Sequence, residues 1–291
     1  MLRSVTSVPR LPSRAKDSHK GTFGKVLIVA GSVGMSGAAV LAGLGALRGG
    51  AGLVQIACST TIQPVVAAAN PCYLTVGLMH DSTGQLTSAS LETLDAVLPT
   101  VQAVAFGPGI GRGPDVIQAL HHILTQYEGP IIIDADGLHA LTQLQQQGQV
   151  LDRRIPLTCT PHPGEFAQMT GLTTQLVQAD RKQQALRYVM EHKVLLVLKG
   201  HGTLVTDGQR VYVNTTGNAG MAKGGSGDVL TGLIASLAAQ GMAPLEAAQA
   251  AVYLHGSAGD LAAATLTEQS MLPTDLVEAL PMAFRKYNPV N

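Results

Sequence analysis

Short apolar runs recur along the chain, and stretches of helical composition separate them. The runs are rich in Val, Ile and Leu, and they are KVLIVA near residue 27, GLVQIA near 54, AVAFG near 104, PIIIDAD near 132, IPLTCT near 157 and VLLVLKG near 196. Between them, residues 115–126 and 180–191 have the composition and spacing of helices. This alternation is typical of βαβ units, so it predicts an α/β fold with a mostly parallel central sheet and helices on both faces.

The pattern changes after Lys199. The runs GTLVTDG and RVYVN are separated by an Asp-Gly pair, which predicts a hairpin that completes the sheet. From Asp228 onward the sequence is almost wholly helical in character. Because no repeat period or Pro/Ser-rich linker interrupts the chain, we expect a single domain over residues 1–291, with residues 1–18 as a solvated N-terminal arm.

Composition narrows the classes of function. Hydrophobic residues make up 46% of the chain and charged residues 13%, which suits a sheet buried under helices. A net charge of zero, 3% aromatic residues and no Trp argue against a nucleic-acid partner. Residues 26–47 are uncharged and long enough to span a bilayer, but glycines and serines in the middle favour a strand, a turn and a helix, so no membrane partner is expected.

The three cysteines suggest a compartment. Cys58, Cys72 and Cys159 are odd in number and lack CxxC spacing, so they predict neither a disulfide framework nor a zinc site. A reducing cytoplasm is the expected location. The sequence also lacks HExxH motifs and His clusters, so a tightly held transition metal is not expected.

The strongest chemical signal is GNAGMAKGGSGDVLTG, residues 217–232. Gly224, Gly225 and Gly227 lead into a helix that is predicted to begin near Asp228. Glycines let main-chain N–H groups approach an anion, and a helix N-terminus adds unpaired donors, so this loop can bind phosphate. Asp228 is either the N-cap of the helix or a base that accepts a proton from a hydroxyl attacking a phosphoryl group.

This segment resembles the anion-hole-and-base motif of ribokinase-like kinases. Together with six further motifs it makes the chain similar to the ADP/ATP-dependent NAD(P)H-hydrate dehydratase family. Those motifs are SHKGTFGKVLIVAGS, GAAVLAGLGALRGGAGLV, FGPGIGR, DADGLHAL, TPHPGEF and LKGHGT. The resemblance runs from about Ser18 to His255 and implies a ribokinase-like fold, the stand-alone form without an epimerase domain, and a homotetramer.

The resemblance also implies an activity. It is the ADP- or ATP-dependent dehydration of the S-epimer of hydrated NADH or NADPH, through phosphorylation of the ring hydroxyl and elimination of phosphate. The nucleotide is a co-substrate, and Mg²⁺ is expected to arrive with it. The alternative is a ribokinase-like kinase of a vitamin-precursor alcohol of the thiazole or pyrimidine type, which would share the aspartate and the anion hole.

Site residues follow from the motifs. Asp228 is implied as the base or the contact to the substrate hydroxyl. The residues implied in substrate binding are Ala38, Ala39, Gly109 and His162, and those implied in nucleotide binding are Lys199, Gly200, His201, Gly202, Thr203, Asn218, Gly225 and Gly227. The alternatives are tight helix packing for the two alanines, a structural role for His162, and a surface hairpin with a solvated side chain for Lys199.

Three further polar residues have open roles. Asp134 and Asp136 stand two apart, so along a strand they would share a face and orient a magnesium ion or a hydroxyl. Capping of the following helix is the preferred interpretation of both. Lys223 stands where the family often has Thr and is expected to place a positive charge beside the anion hole, which leaves the choice between ADP and ATP open.

Overall fold

The protein is described by a computed structural model that covers residues 2–149 and 153–287. Met1 at the start of the predicted arm, and residues 150–152 and 288–291, lie outside the described residues. The strands are β1 (Arg3–Val5), β2 (Lys25–Val29), β3 (Leu53–Ser59), β4 (Tyr73–Leu78), β5 (Ala103–Phe106), β6 (Ile131–Ile133), β7 (Thr158–Cys159), β8 (Leu195–Leu198), β9 (Leu204–Thr206) and β10 (Arg210–Val213).

These strands form one ten-stranded sheet in the order β1-β10-β9-β8-β7-β6-β5-β2-β3-β4. Pairing is parallel from β8 through to β4, whereas β9 is antiparallel to both of its neighbours. The predicted hairpin is therefore confirmed, with Thr206 opposite Val211. The mostly parallel sheet is confirmed as well, and its carboxyl-terminal edge is where parallel α/β proteins bind ligands.

Two layers of helices cover the sheet. The helices are α1 (Ser36–Arg48), α2 (Gln63–Ala69), α3 (Leu91–Val97), α4 (Pro114–Gln126), α5 (Asp136–Gln146), α6 (Pro163–Thr170), α7 (Thr174–Ala179), α8 (Arg181–His192), α9 (Ser226–Ala239), α10 (Pro244–Leu266) and α11 (Pro273–Tyr287). One apolar core lies between the sheet and α1, α2, α9, α10 and α11, and the other lies under α3 to α8. The predicted helices at 115–126 and 180–191 are confirmed to within one residue.

Two strands were missed by the sequence analysis, and one of them, β1, lies in the predicted arm. β1 pairs in parallel with β10, and the Tyr287 hydroxyl donates a hydrogen bond to the carbonyl of Pro9. The Arg14 guanidinium lies 3.8 Å from the centre of the Phe23 ring. Backbone pairing and a stacked cation thus fix part of the predicted arm to the domain, although none of its described residues is buried.

The edge strand β4 was missed for a different reason. Its burial alternates only weakly, and Gly77 interrupts the run of Val, Tyr and Leu. Residues 26–47 fold as strand, turn and helix, as predicted. No helix in the described part of the chain is long and apolar enough to cross a membrane.

Helices α1 and α9 contact each other backbone to backbone. A Cβ added at Gly45 would lie 2.1 Å from the carbonyl oxygen of Val229, and one added at Gly232 would lie 1.8 Å from that of Ala42. Only glycine leaves room for so close an approach. This contact fixes the position of α9, whose N-terminus points into the cleft described next.

Candidate active site

A cleft of about 870 Å³ lies at the carboxyl-terminal edge of the sheet. Asp134 and Lys199 enter it directly after β6 and β8, and His162 enters it three residues after the end of β7. The opposite wall is the glycine loop and the first turn of α9, which includes Asp228. The cleft thus brings together four side chains that are far apart in the sequence.

The glycine loop opens the N-terminus of α9 toward the cleft. Gly225 is the N-cap with a φ of 100°, and no side chain caps the helix. The positive φ favours glycine here, and a Cβ would also displace the side chain of Leu41, whose Cδ1 would lie 2.4 Å away. The uncapped first turn leaves donors and a positive helix end for an anion. The N-cap alternative for Asp228 is wrong, because Asp228 is the third residue of the helix.

His255 holds the start of this helix and was not found by the sequence analysis. It is buried on α10, and Nε2 lies 2.9 Å from the carbonyl oxygen of Ser226. Burial lowers the pKa of His255 to about 4, so the ring is neutral at pH 7 and its Nε2–H donates to that carbonyl. A lone histidine in an alanine-rich helix carries no sequence signal of this role.

Asp228 is a carboxylate with unusual proton affinity. Its pKa is raised to about 7, mainly by burial and also by the neighbouring charges of Asp134 and Glu165, while the Lys199 ammonium lowers it. No described residue donates a hydrogen bond to the Asp228 carboxylate. A carboxyl group that titrates near neutral pH and faces a cleft is suited to accept a proton during a reaction.

Lys199 lies inside the cleft wall and not at the surface. Its side chain is 17% exposed, and Nζ lies 2.8 Å from Oδ1 of Asp134 and 3.9 Å from Oε2 of Glu165. Burial alone would lower the pKa of Lys199, but the two carboxylates raise it above its ordinary value, so the ammonium is charged. The solvated-hairpin alternative for Lys199 is therefore wrong.

Asp134 and Asp136 do not have the roles that the sequence favoured. Asp134 is 1% exposed and accepts hydrogen bonds from Nζ of Lys199 and, at 2.7 Å, from the Thr231 hydroxyl. Asp136 accepts from the N–H of Gly111 and pairs with Arg112 at 2.8 Å. The N-cap of α5 is Ala135, which forms no side-chain cap, so the capping prediction is wrong for both residues. Since β6 ends at Ile133, the two carboxylates do not share a strand face either.

His162 has a structural role at the rim of the cleft. Its Nδ1 accepts hydrogen bonds from the N–H groups of Gly164 and Glu165, and Glu165 in turn accepts from the N–H of His162 at 2.8 Å. This is a capping box at the start of α6. The side chain is still 57% exposed, so the other edge of the ring remains available, and the substrate contact stays a prediction.

The predicted nucleotide loop, Lys199 to Thr203, lines the same cleft. Gly200 and Gly202 have φ values of 129° and 61°, and the loop turns sharply there. Arg181, which the sequence analysis missed, fixes this turn from the first residue of α8. Its guanidinium donates to the carbonyls of Leu198, Lys199, His201 and Gly202. The loop is therefore held in shape before any ligand arrives.

Two residues of the long loop before α9 are engaged by the protein itself. Asn218 accepts from the N–H of Gly220 and donates to Asp260, and it lines the cleft. The Lys223 ammonium donates to the carbonyls of Gln269 and Met271 at 2.7 and 2.5 Å. Lys223 also lines the cleft, but its ammonium is hydrogen-bonded to the segment that connects α10 and α11.

The other predicted substrate residues lie outside the lining of this cleft. Ala38 and Ala39 are buried in the first turns of α1, and a Cβ on Gly109 would lie 3.0 Å from that of Ala38. Gly109 has a φ of 60°. Ala39 is fully buried, which supports the packing alternative for that side chain. These residues form a second group at the ends of β2 and β5, and their contact with substrate stays a prediction.

A resident metal ion does not fit the side chains present. The described residues contain no group of three or more His, Cys, Asp or Glu arranged to hold one. Asp134 is bound by Lys199 and Thr231, and Glu165 by the N–H of His162. A Mg²⁺ ion here would have to be held mainly by nucleotide phosphates and water, as is common for this ion.

The sheet order, the two helical layers and the glycine loop at a helix N-terminus define the class of the protein. It has a ribokinase-like α/β fold. A ribokinase-like superfamily protein from Enterococcus faecalis superimposes with a TM-score of 0.83 at 28% identity, over 99% of this chain and 97% of that one. The predicted fold class is confirmed.

The chain belongs to the NAD(P)H-hydrate dehydratase family, whose model it matches over residues 26–282. The crystal structure of an ADP/ATP-dependent NAD(P)H-hydrate dehydratase from Bacillus subtilis, co-crystallised with ATP and Mg²⁺, is 33% identical with a TM-score of 0.83. The match covers 96% of this chain and 95% of the Bacillus chain. The family inferred from the seven motifs is confirmed.

A longer relative shares the same module. A bifunctional NAD(P)H-hydrate repair enzyme from Moorella thermoacetica is 41% identical over 284 residues. The alignment covers 95% of this chain but 52% of that protein, so the chain spans about half the length of this relative.

Proposed function

We propose that the protein uses ADP or ATP to dehydrate the S-epimer of hydrated NADH or NADPH, which restores the reduced cofactor. One observation supports this most strongly. The Asp228 carboxylate, with a pKa near 7, stands in the uncapped first turn of α9 and shares a cleft with the nucleotide loop. A base beside an anion site is the minimum that a hydroxyl needs to attack a bound phosphoryl group.

The proposed reaction has two steps. The ring hydroxyl loses its proton to Asp228 while its oxygen forms a bond to the terminal phosphorus of the nucleotide, and AMP or ADP departs. The ring then carries a phosphate ester. Its C–O bond breaks as the lone pair of the ring nitrogen pushes in, inorganic phosphate leaves, and the neighbouring ring carbon gives up a proton to form the double bond.

The cleft residues divide this work. The first-turn N–H groups of α9 face the transferring phosphoryl group and stabilise the charge that develops on it. Gly225 and Gly227 let the nucleotide phosphates approach the backbone, and Asn218 with residues 199–203 is proposed to hold the rest of the nucleotide. His162 and the group around Gly109, Ala38 and Ala39 are proposed to hold the hydrated cofactor.

The activity is tested by mixing the purified protein with hydrated NADH and either ADP or ATP, with Mg²⁺, and following the reduced-nicotinamide absorbance. We expect the absorbance to return with release of inorganic phosphate. A small-alcohol kinase would leave the absorbance unchanged and would accumulate a phosphate ester from a thiazole or pyrimidine alcohol instead. Silence toward every substrate in the presence of bound nucleotide would indicate a sensor and would refute the proposal.

Assembly and location complete the proposal. We propose a homotetramer in the cytoplasm, where the three free thiols, Cys58, Cys72 and Cys159, would persist in the reduced state. Light scattering coupled to gel filtration should give about four times the chain mass of 30.1 kDa. A mass of one chain would contradict the tetramer without affecting the proposed reaction.

Replacing Arg181 by glutamine should weaken nucleotide binding more than catalysis. Four carbonyls of the loop lose their shared cationic donor, and hydrogen bonds to charged groups are each worth about 1.5–3 kcal/mol, although the loop relaxes and recovers part of that. We expect the KM for nucleotide to rise about tenfold, equivalent to ~1.4 kcal/mol, with kcat changed less than about threefold.

Arg187→Gln is the matched control, because this exposed arginine lies on the same helix and outside the cleft lining. It should leave both constants unchanged. An Arg181→Gln enzyme with a normal nucleotide KM would show that the guanidinium does not shape the loop.

A further inference from the structure

The Lys199 ammonium lies close to three carboxylates but is bound mainly to one of them. Nζ is 2.8 Å from Oδ1 of Asp134 and 3.9 Å from Oε2 of Glu165, whereas Lys199 and Asp228 form no ion pair. A Cβ on Gly227, the residue before Asp228, would nevertheless lie 3.1 Å from Nζ. The ammonium is thus adjacent to the turn that carries Asp228 and is held on the Asp134 side of it.

Asp134 is built to hold this arrangement. It is 1% exposed, and its backbone is fixed by the N–H of Asp134 donating to Phe106 and by its carbonyl accepting from Gly137. Oδ2 accepts at 2.7 Å from the hydroxyl of Thr231, which lies one turn after Asp228 on α9. The same carboxylate therefore contacts both the lysine and the helix that carries the base.

We propose that Asp134 is a positioning residue, whose buried carboxylate retains the Lys199 ammonium and so prevents it from closing on Asp228. The inference rests on the proposed function, in which Asp228 accepts the proton of the substrate hydroxyl. An ammonium paired directly with Asp228 would favour its ionised form and make it a weaker base. By holding Lys199, Asp134 keeps the positive charge near the transferring phosphoryl group and the base free.

The charged surroundings of Asp228 are consistent with this role. Burial is the largest cause of the raised pKa of Asp228. The negative charges of Asp134, after β6, and Glu165, on α6, also raise this pKa, whereas the Lys199 ammonium, after β8, lowers it. From α10, the buried His255 is neutral at pH 7.

Three further titratable groups line the cleft, namely Lys223, His162 and the exposed His201 of the nucleotide loop. Lys223 is bound to the carbonyls of Gln269 and Met271. His162 is engaged through Nδ1 in the cap of α6. Of the two carboxylates that act on Asp228, Asp134 is the one hydrogen-bonded to Lys199, so its substitution changes both the charge near Asp228 and the position of Lys199.

The test is the pH dependence of kcat/KM in Asp134→Asn, which keeps the shape of the side chain and removes its charge. In the unmodified enzyme kcat/KM should fall as pH drops below about 7, where Asp228 becomes protonated. In Asp134→Asn we expect this acid limb to move to lower pH by about one unit, as loss of a neighbouring like charge does. The plateau should fall about tenfold, because the base is weaker, with little change in nucleotide KM.

Asp95→Asn is the control for loss of one negative charge, since Asp95 pairs with His122 and neither residue lines the cleft. Its profile should match the unmodified enzyme. A merely structural role of Asp134 would lower the whole profile without moving the acid limb, and that result would overturn the inference.

A second measurement does not depend on turnover. With ¹³C-carboxyl aspartate in the unmodified protein, the Asp228 resonance, assigned by its absence in Asp228→Asn, should titrate near pH 7. A midpoint near 4, the ordinary range for aspartate, would mean that Lys199 is paired with Asp228 in solution and would overturn the inference. If hydrated NADH is not restored at all, the proposed function fails, while this titration still tests whether Lys199 is kept apart from Asp228.

Discussion

Replacing Asp228 by asparagine should lower turnover of hydrated NADH by a factor of about 10²–10⁴ and leave nucleotide binding nearly unchanged. Asparagine fills the same space in the first turn of α9 but cannot accept the hydroxyl proton at neutral pH. The loss should be in kcat and not in the KM for nucleotide, because the first-turn N–H groups and the loop from Lys199 to Thr203 remain in place. Steady-state kinetics and calorimetric titration with ADP separate the two effects.

The same substitution should stabilise the fold at alkaline pH. Because burial raises the pKa of Asp228 from about 4 to about 7, the folded state binds a proton that the unfolded state has released between these values. Stability therefore decreases as pH rises through this window, and the ionised carboxylate is a cost above pH 7. Asp228→Asn removes that cost, so its Tm at pH 8 should exceed that of the unmodified protein by a few degrees.

Asp115→Asn is the matched control, since Asp115 lies in the first turn of α4 and outside the cleft lining. This variant should keep full turnover and be slightly less stable, because an acidic residue at a helix N-terminus interacts favourably with the helix dipole. Near-normal turnover of Asp228→Asn would refute the role of Asp228 as the base.

Replacing Gly45 by alanine should destabilise the protein by about 3 kcal/mol or more. In a helix interior the change from glycine to alanine ordinarily stabilises by about 1 kcal/mol. Here the new Cβ would lie 2.1 Å from the carbonyl oxygen of Val229, so α1 and α9 would have to separate. The steric clash with the backbone outweighs the higher helix propensity of alanine, because a backbone oxygen cannot rotate away as a side chain can. Thermal unfolding should show a Tm lower by on the order of 10 °C.

Gly37 on the same helix supplies the comparison, because a Cβ there meets no atom within 4 Å. Gly37→Ala should leave the Tm unchanged or raise it. Equal Tm values for the two variants would show that the close contact of α1 with α9 does not limit stability. Since that contact also fixes the N-terminus of α9, Gly45→Ala should lose activity together with stability.

The parts of the fold that sequence periodicity predicted are those with strong local signals. Runs such as KVLIVA and VLLVLKG are apolar on both faces, and a strand buried under two helical layers requires that pattern. The edge strands carry less information: β1 depends on pairing with a strand some 200 residues later, a long-range contact without local signature. In β4, Gly77 weakens the apolar pattern because glycine adds no side chain to the run.

The candidate site divides in the same way. The glycine loop, Asp228 and the lysine loop were predicted because backbone-binding loops need glycine at particular positions. The partners of those residues were not predicted. Arg181 and His255 act through carbonyls of other segments, and the sequence around each is an ordinary helix. Asp134 was identified as a candidate, but a helix cap was preferred because its contacts with Lys199 and Thr231 are made only in the folded chain.

Transfer of the hydroxyl oxygen is the most direct measure of the proposed chemistry. Hydrated NADH labelled with ¹⁸O in the ring hydroxyl is converted with ADP or ATP, and the released phosphate is analysed by mass spectrometry. If the Asp228-assisted hydroxyl attacks phosphorus before the C–O bond breaks, the label appears in inorganic phosphate. Label in water, with unlabelled phosphate, would contradict a phosphorylated intermediate and with it the role assigned to Asp228.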